Sequence, residues 1–214
     1  MVTQGEVSGK EGRRVLSKAL IFLGALMVIA GLSLALGTIL FLRATDRRYR
    51  ESQEELFRAF QEGPWGDGEG QRVSILPGDA LARITAPTIG LDAMVVELSG
   101  LEDTENLKRG PGHVPGTAFP GEAGNCVVSG HRTTYGAPFR DLDRLESGDP
   151  IYLETRRGSF EYRVNGRKVV LPGDLGVLEP TPEPTLTLTA CHPRYSASRR
   201  LVVTAVLAHE GPVQ

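Results

Sequence analysis

The sequence Thr187-Leu188-Thr189-Ala190-Cys191 closes an apolar, β-rich run that begins at Thr185 and delivers a cysteine at its end. Arg200 lies nine positions later and opens a second strand-like run over residues 201–207. A strand, a short loop and a second strand predict a β-hairpin, which would place Cys191 and Arg200 near one another at the mouth of the loop. Because nearby positive charge favours the thiolate, Cys191 is a candidate reactive thiol.

A second apolar stretch, Asn125-Cys126-Val127-Val128-Ser129-Gly130-His131, also ends on a polar residue. Side chains alternate along a strand, so His131 shares a face with Ser129, whereas Cys126 points to the opposite face. We therefore predict that His131 is the histidine partner of Cys191. Cys126 is predicted to be a small core residue and not a second nucleophile.

The composition predicts a turn-rich β domain. The 214 residues include 26 Gly and 14 Pro, and aromatic residues make up 6% of the chain, which favours many turns over a helical bundle. Apolar runs of strand length recur between turn signals and predict a barrel or a sandwich. These runs cover residues 81–84, 89–98, 125–131, 151–155, 159–164, 169–171, 185–191 and 201–207. The proline-rich segment 172–184 is predicted to be a long ordered loop or a partial lid. The net charge of −2 gives no indication of nucleic-acid binding.

The two cysteines exclude a disulfide-rich scaffold and leave one pair at most. A bridge between Cys126 and Cys191 would consume the only candidate nucleophile, so we expect both thiols to be free. A zinc site formed by His113, Cys126, His131 and Cys191 can be drawn, but the spacings match no closed zinc pattern. No metal is therefore predicted.

The remaining histidines are poor candidates for a base that acts on Cys191. His192 follows Cys191 directly, so strand alternation would turn it to the opposite face. His113 lies in a Gly- and Pro-rich loop and His209 lies near the C-terminus. Both are predicted to be structural or solvated.

The N-terminal part of the chain predicts a membrane span. Residues 19–42 contain no charged residue, and a helix of about two dozen residues is about 36 Å long, enough to cross a bilayer with some tilt. We interpret residues 1–18 as a cytoplasmic tail and residues 19–42 as a transmembrane helix. A cleaved signal peptide and a buried soluble helix fit less well, because the run is long, lacks a clear cleavage site and has no polar face. Flanking charge does not settle the orientation, since basic residues lie on both sides: Lys10, Arg13, Arg14 and Lys18, then Arg43, Arg47, Arg48 and Arg50.

Residues 43–70 connect this span to the β-rich domain, which is placed at residues 71–214. The first part, up to residue 62, predicts a helix, and the remainder is a Gly-rich linker by composition. A thin apolar stripe on the helix consists of Tyr49, Leu56, Phe57 and Phe60. We interpret the helix as a solvated spacer in preference to an arm that touches the membrane or the domain.

These residues together resemble the sortases, the cysteine transpeptidases of Gram-positive cell surfaces. The sortase cysteine motif is Thr-Leu-x-Thr-Cys, the sortase histidine ends a strand, and the sortase arginine begins the strand after the cysteine. Cys191, His131 and Arg200 stand at these positions. Further stretches are similar to class E sortases of actinobacteria: Gly110-Pro111-Gly112-His113, Pro115-Gly116-Thr117, His131-Arg132-Thr133-Thr134-Tyr135-Gly136-Ala137-Pro138-Phe139, Gly148-Asp149 and Cys191-His192-Pro193. The resemblance covers most of residues 81–207. It implies a mainly β fold, a closed β-barrel of about eight strands with short helices, preceded by a single N-terminal transmembrane helix.

The resemblance also implies an activity. Cys191 would attack the backbone carbonyl between Thr and Gly in the C-terminal sorting signal of an exported protein, and an amine would resolve the thioacyl-enzyme. His131 would act as general acid and then general base, and Arg200 would hold the oxyanion or the substrate backbone. Class E resemblance implies a Leu-Ala-x-Thr-Gly type signal in preference to Leu-Pro-x-Thr-Gly.

The implied acceptor is the amine of a lipid II-type peptidoglycan precursor, with pilin assembly as the alternative. The implied location is the cell membrane, single-pass, with a cytoplasmic N-terminus, a catalytic domain outside and the N-terminal helix in membrane lipid. No cofactor and no nucleic acid are implied. Some sortases bind calcium, but Asp174, Glu179 and Glu183 lie in the proline-rich loop without a ligand cluster.

One residue departs from the family motif, because Ala190 stands where sortases carry a hydroxyl residue before the cysteine. The lost hydroxyl could have bonded substrate or held the loop. A second interpretation is therefore a weak or inactive membrane-tethered β-barrel that binds or scaffolds surface proteins. A third is an L,D-transpeptidase, also a β-rich cysteine enzyme, although its Ser-His-Gly-Cys type motif is absent.

Overall fold

In a computed structural model, the chain is described over residues 5–63 and 75–212. It forms one long helix and a β-barrel, and it divides into two compact units, Met1–Ala44 and Thr45–Gln214. The division falls inside the first helix, α1 (Gly5–Glu62). The predicted domain boundary near residue 71 and most of the Gly-rich linker lie outside the described residues.

The first unit contains the apolar part of α1. Large apolar side chains project from it with most of their surface exposed, for example Phe22 at 80% and Leu34 at 74%. By length and composition this helix could cross a membrane. Exposed apolar surface on this scale is a liability in water, and it fits a helix whose surroundings are apolar.

The second unit is a closed barrel of eight strands, which confirms the predicted fold class. The strands are β1 (Ala80–Ala86), β2 (Leu91–Glu97), β3 (Gly112–His113), β4 (Asn125–Gly130), β5 (Pro150–Thr155), β6 (Ser159–Val170), β7 (Thr185–His192) and β8 (Arg199–Gly211). Around the barrel they follow the order β1-β2-β3-β4-β7-β8-β6-β5. A short helix, α2 (Thr104–Leu107), and 3₁₀ turns at Pro87–Ile89, Leu142–Arg144 and Leu175–Leu178 lie between strands.

Strand alternation builds the barrel interior. In β7 the residues Leu186, Leu188 and Ala190 are at most 3% exposed and belong to the main core. The intervening threonines face outward, because successive side chains of a strand point to opposite faces. The same rule places Cys126 of β4 in the interior, where it is 1% exposed. The prediction that Cys126 is a core residue is therefore confirmed.

One strand, β6, joins two runs that the sequence predicts as separate. Residues 159–164 and 169–171 were expected as separate strands, but β6 runs without a break from Ser159 to Val170. The intervening Asn165-Gly166 has the composition of a turn, yet it forms a register shift opposite β8. The side chain of Asn165 accepts a hydrogen bond from the Thr204 hydroxyl there (2.8 Å). A bulge therefore stands where a turn was expected.

The helix after residue 44 packs on the barrel, so the prediction of a solvated spacer is wrong. Leu56 is 1% exposed and Phe60 is 7% exposed. They form a second apolar core with outward-facing residues of the barrel: Ala80, Met94, Val96, Leu98, Val114 and Val127. Leu56 and Phe60 are one helical turn apart, so they lie on the same side of the helix and both face the barrel.

A polar contact fixes the same helix in register with β2. The Gln53 side-chain amide accepts a hydrogen bond from the backbone N–H of Met94 (2.6 Å) and donates to the carbonyls of Met94 (3.1 Å) and Arg109 (2.8 Å). Buried backbone groups require such partners. The helix therefore provides hydrogen-bond partners for backbone groups of Met94 and Arg109 as well as covering apolar surface.

We expect Leu56→Ala to destabilise the barrel unit by about 2–5 kcal/mol, the usual cost of truncating a buried leucine. The measurement is unfolding of the full chain in detergent, followed by circular dichroism in the β region. Phe57→Ala is the matched control, because Phe57 is the next residue on the helix and is 39% exposed. Equal stability of the two variants would contradict the packing described.

Candidate active site

Cys191 and Arg200 lie directly opposite one another in the antiparallel pairing of β7 with β8. This confirms the predicted hairpin. Cys191 is partly exposed and its thiol is free. The Arg200 guanidinium donates to the carbonyls of Ala197 and Arg199, both at 3.2 Å. Arg199 pairs with His192 one step further along the ladder, so alternation turns it to the other face.

His131 reaches the same edge through a parallel pairing. Each residue of β4 pairs with a residue of β7, ending with Gly130 opposite Ala190. His131 and Cys191 are the next residues of the two strands. The Ser129 and Thr189 hydroxyls bond across this pairing at 2.8 Å, which shows that paired side chains share the outer face. Since side chains repeat every second residue, His131 and Cys191 lie on that face as well.

Gly130, the last residue of β4, determines how closely the core packs against the backbone before His131. A Cβ at this position would collide with the ring of Phe139, which is fully buried in the core. The backbone N–H of Phe139 also donates to the carbonyl of His131 (3.0 Å). The close approach of ring and backbone therefore requires glycine at residue 130 and holds the histidine at the strand end.

The His131 ring is half-buried beside an aromatic side chain. Its centroid lies 4.9 Å from that of Tyr135. Burial lowers the pKa of His131, and the positive charge of Lys108 lowers it further. Within the part of the chain that the structure describes, Nε2 of His131 is buried and has no hydrogen-bond partner. A predominantly neutral imidazole with a free nitrogen can exchange a proton with a group that enters the site.

The loop after His131 is supported by the packed half of α1. Three consecutive residues, Tyr135, Gly136 and Ala137, have positive φ angles of 51°, 70° and 46°. The Asp46 carboxylate accepts a hydrogen bond from the Gly136 N–H (3.1 Å), and the Tyr49 ring fills the space in which a Cβ of Gly136 would lie. The helix therefore holds an unfavourable backbone conformation next to the histidine.

Sequence reasoning missed two contributions to this site. Asp46 and Tyr49 were read as part of a spacer, and only the helical spacing of Tyr49 with the buried Leu56 (i, i+7) could have indicated their side of the helix. Arg132 was read as part of a motif without a role, although its side chain is 1% exposed. A buried arginine is rare enough to mark a specific site.

The structure also places the histidines and the cysteine that were not assigned to the site: His113, His192 and Cys126. His113 is buried and bonds to Glu97 (2.7 Å), Thr117 (3.1 Å) and the Ala118 carbonyl (3.0 Å), so its structural role is confirmed. Cys126 is a free thiol whose pKa is raised by burial. His192 accepts a hydrogen bond from Arg132 (3.1 Å) and is not directed at Cys191.

The polar groups named for possible metal sites have other partners or lie apart. Among the described residues, no three His, Cys, Asp or Glu side chains come close enough together to hold a metal ion. Asp174 of the proline-rich loop accepts a hydrogen bond from the Gly176 N–H (3.0 Å), which caps the 3₁₀ turn of that loop.

Comparison with known proteins decides the family. The family model for the sortase domain matches residues 84–208, more than half of the chain. The chain belongs to the sortase family. Sortase SrtE1 of Streptomyces coelicolor is 34% identical over 163 residues, 69% of this chain. Sortase D of Bacillus subtilis is 33% identical over 117 residues, 54% of this chain. The chain spans about half the length of these two curated relatives, 46% and 56%.

Solved sortase structures share the barrel. A sortase D5 transpeptidase of Clostridium perfringens has a TM-score of 0.64 at 30% identity, and the match covers 78% of this chain and 99% of that one. Sortase E of Streptomyces avermitilis has a TM-score of 0.58 at 36% identity, over 64% of this chain and 93% of that one. The matches to SrtE1 and to sortase E identify this sortase as similar to class E.

The departure from the sortase motif at Ala190 concerns the barrel interior. Ala190 is 3% exposed and packs in the main core, on the face opposite to Cys191. A hydroxyl at this position would therefore point into the core. Of the two possible roles of the lost hydroxyl, bonding substrate or holding the loop, this geometry does not favour a contact with substrate.

We expect Lys108→Gln to raise the pKa of His131, because a positive charge that disfavours the imidazolium is removed. The measurement is an NMR titration of the His131 imidazole in the full chain. Arg157→Gln removes a positive charge at the β5–β6 turn and serves as the control. A pKa of His131 that falls, or that moves equally in both variants, would contradict the assignment.

Proposed function

We propose that this sortase is a membrane-anchored cysteine transpeptidase in which Cys191 is the nucleophile, His131 the general acid and base, and Arg200 the group that stabilises the oxyanion. One observation carries the proposal. The three residues stand at the ends of three adjacent strands, β4, β7 and β8, and alternation places all three on the outer face. A thiol, an imidazole and a guanidinium at one edge are the groups that thioester chemistry needs.

In the first half-reaction, Sγ of Cys191 as thiolate attacks the carbonyl carbon of Thr in the sorting signal. The negative charge that develops on the carbonyl oxygen lies within the field of Arg200, whose fork of N–H donors suits an oxyanion. The Thr–Gly C–N bond then breaks, and His131 as imidazolium gives its proton to the departing Gly nitrogen. A thioester at Cys191 and a neutral imidazole remain.

In the second half-reaction, an acceptor amine attacks the thioester carbonyl. His131 now takes a proton from the amine nitrogen, a new amide bond forms, and the C–S bond breaks to return the thiolate. Because the pKa of His131 is lowered by burial and by Lys108, the imidazolium is the minority form at neutral pH. The free enzyme therefore spends most of its time with a neutral base and only a fraction in the form that starts the reaction.

The substrate proposed is an exported protein with a C-terminal signal of the Leu-Ala-x-Thr-Gly type, or less favourably Leu-Pro-x-Thr-Gly. Similarity to class E relatives supports the first motif. The related sortase E1 of Streptomyces coelicolor has been solved with a tripeptide in its active site, which supports a peptide substrate here. The acceptor proposed is the amine of a lipid II-type peptidoglycan precursor, with a pilin as the alternative.

Membrane anchoring is proposed through the apolar part of α1, with the N-terminus in the cytoplasm and the barrel outside. The exposed apolar side chains over residues 20–42 support an anchor. An anchored enzyme, a substrate with its own membrane tail and a lipid-linked acceptor would meet in two dimensions, which raises their effective concentration.

The competing interpretations lose support. Membership of the sortase family removes the reason to consider an L,D-transpeptidase. The inactive scaffold was suggested by the change at Ala190, and that side chain faces the core. No observation on the described residues favours a binding role over catalysis.

We expect Cys191→Ala and His131→Ala to abolish turnover, and Arg200→Lys to leave little, since lysine lacks the fork of donors. Mass spectrometry of the full chain with Leu-Ala-x-Thr-Gly peptides and amines would show the thioester, the cleaved bond and the preferred acceptor. Cys126→Ala is the control, because Cys126 lies in the core and should retain activity. Full activity of any one of the first three variants would remove that residue from the mechanism.

We expect protease added to intact cells to cleave the barrel unit, because the proposed orientation places it outside the membrane. The fragment pattern on immunoblots of intact and lysed cells gives the readout. A barrel that survives in intact cells and is cleaved only after lysis would reverse the orientation.

A further inference from the structure

Arg132 directly follows His131, two residues beyond the end of β4, and its side chain is buried. It is 1% exposed, although it carries a permanent charge. A buried guanidinium is costly unless it is paired and its donors are satisfied. The hydrogen-bond and ion-pair partners of Arg132 therefore indicate its role.

The guanidinium contacts four groups on three segments. It pairs with the Asp143 carboxylate (2.7 Å) and donates to the Arg140 carbonyl (3.3 Å). It also donates to Nδ1 of His192 (3.1 Å), and the Cys191 carbonyl lies 3.5 Å away. The Arg132 side chain thus links the end of β4 to the backbone of Cys191, the proposed nucleophile, and to the side chain of His192.

This contact lies where the strand ladder stops. Backbone pairing between β4 and β7 ends at Gly130 and Ala190. Beyond that point, the described hydrogen bonds that join the two strand ends are those of Arg132 with Cys191 and His192. The ladder brings His131 and Cys191 to the same edge, and beyond its last pair a side-chain clamp, formed by the contacts of Arg132, joins the two strand ends.

We propose that Arg132, held by Asp143, is a positioning residue that keeps the imidazole of His131 in register with the thiol of Cys191. This inference rests on the proposed function. The Arg132 side chain is buried and bonds to the Cys191 carbonyl and to His192, so it acts through the two strand ends and not by contact with substrate. A lysine keeps the charge but lacks the planar fork and cannot hold Asp143, Arg140 and His192 together.

The chain offers a matched pair of carboxylates for the test. Asp141 and Asp143 both pair with Arg194, at 2.7 and 3.4 Å. Only Asp143 of these two also pairs with Arg132. Asp143→Asn therefore weakens the ion pair with Arg132 as well as the pair with Arg194. Asp141→Asn weakens only the pair with Arg194 and leaves the contacts of Arg132 unchanged.

The experiment compares Arg132→Lys, Asp143→Asn and Asp141→Asn in the full chain with Cys126→Ala, which leaves one thiol. We expect Arg132→Lys to lower kcat for a Leu-Ala-x-Thr-Gly peptide by about 10- to 100-fold, the effect of a misplacement near 1 Å. KM should stay within about twofold, because substrate binding groups are unchanged. Asp143→Asn should change kcat in the same direction by less, and Asp141→Asn should match wild type.

A second readout is the rate at which iodoacetamide alkylates Cys191 at neutral pH, which needs no peptide. We expect a slower rate in Arg132→Lys and Asp143→Asn, because a displaced imidazolium assists the thiolate less. Wild-type kcat and alkylation in a folded Arg132→Lys, or a loss confined to KM, would overturn the inference. If Arg132→Lys does not fold, equal rates in the two aspartate variants overturn it.

The two proposals fail in different ways. A wild-type chain that forms no thioester with any sorting peptide refutes the proposed function. The alkylation rates then still decide the clamp, since equal rates in wild type and Asp143→Asn refute it and a loss specific to Asp143→Asn supports it.

Discussion

The structure depends on the parallel pairing of β4 with β7. These strands are about 60 residues apart in sequence, and six consecutive pairs from Asn125–Thr185 to Gly130–Ala190 hold them together. Parallel strands end at the same edge of a sheet, so this pairing brings their polar terminal residues, His131 and Cys191, to one place. The antiparallel β7–β8 pairing then adds Arg200 to that edge.

Polar side chains reinforce the same pairing on its outer face. The Thr187 hydroxyl donates to Asn125 (2.7 Å), and the Asn125 amide donates in turn to the carbonyls of Val177 and Glu179. The proline-rich loop between β6 and β7 is thereby tied to β4. These hydrogen bonds join β4, β7 and the loop on the outer face, and the barrel interior beneath them is apolar.

Local patterns predicted much of this arrangement. Alternation in β4 was sufficient to separate Cys126 from His131, because it needs only a period of two. The strand–loop–strand pattern was sufficient to place Arg200 beside Cys191, because a hairpin brings the ends of its two strands together. The packing of Leu56 and Phe60 could not be predicted in this way, since a thin apolar stripe does not show what covers it. The motif alone left the effect of Ala190 open, and alternation in β7 places its side chain in the core, on the face opposite to Cys191.

The bulge at Asn165-Gly166 and the buried Arg132 are a different kind of omission. Both depend on contacts with residues distant in sequence, Thr204 for the bulge and Asp143 and His192 for the arginine. A turn-like dipeptide can form either a turn or a bulge, and a charged residue inside a motif can be either exposed or buried. Which of these forms depends on tertiary contacts.

The contact between Asp46 and Gly136 bears on how a water-soluble form of this sortase should be prepared. Trimming the chain at the glycine-rich segment after residue 62 would strip away Gln53, Leu56 and Phe60, uncover the apolar patch around Val96 and Val127, and release the loop beside His131. A truncation that removes only the apolar stretch and retains the helix from Thr45 onward would preserve these contacts. The helix from Thr45 onward therefore belongs to the folding unit of the barrel, although it continues directly from the apolar stretch.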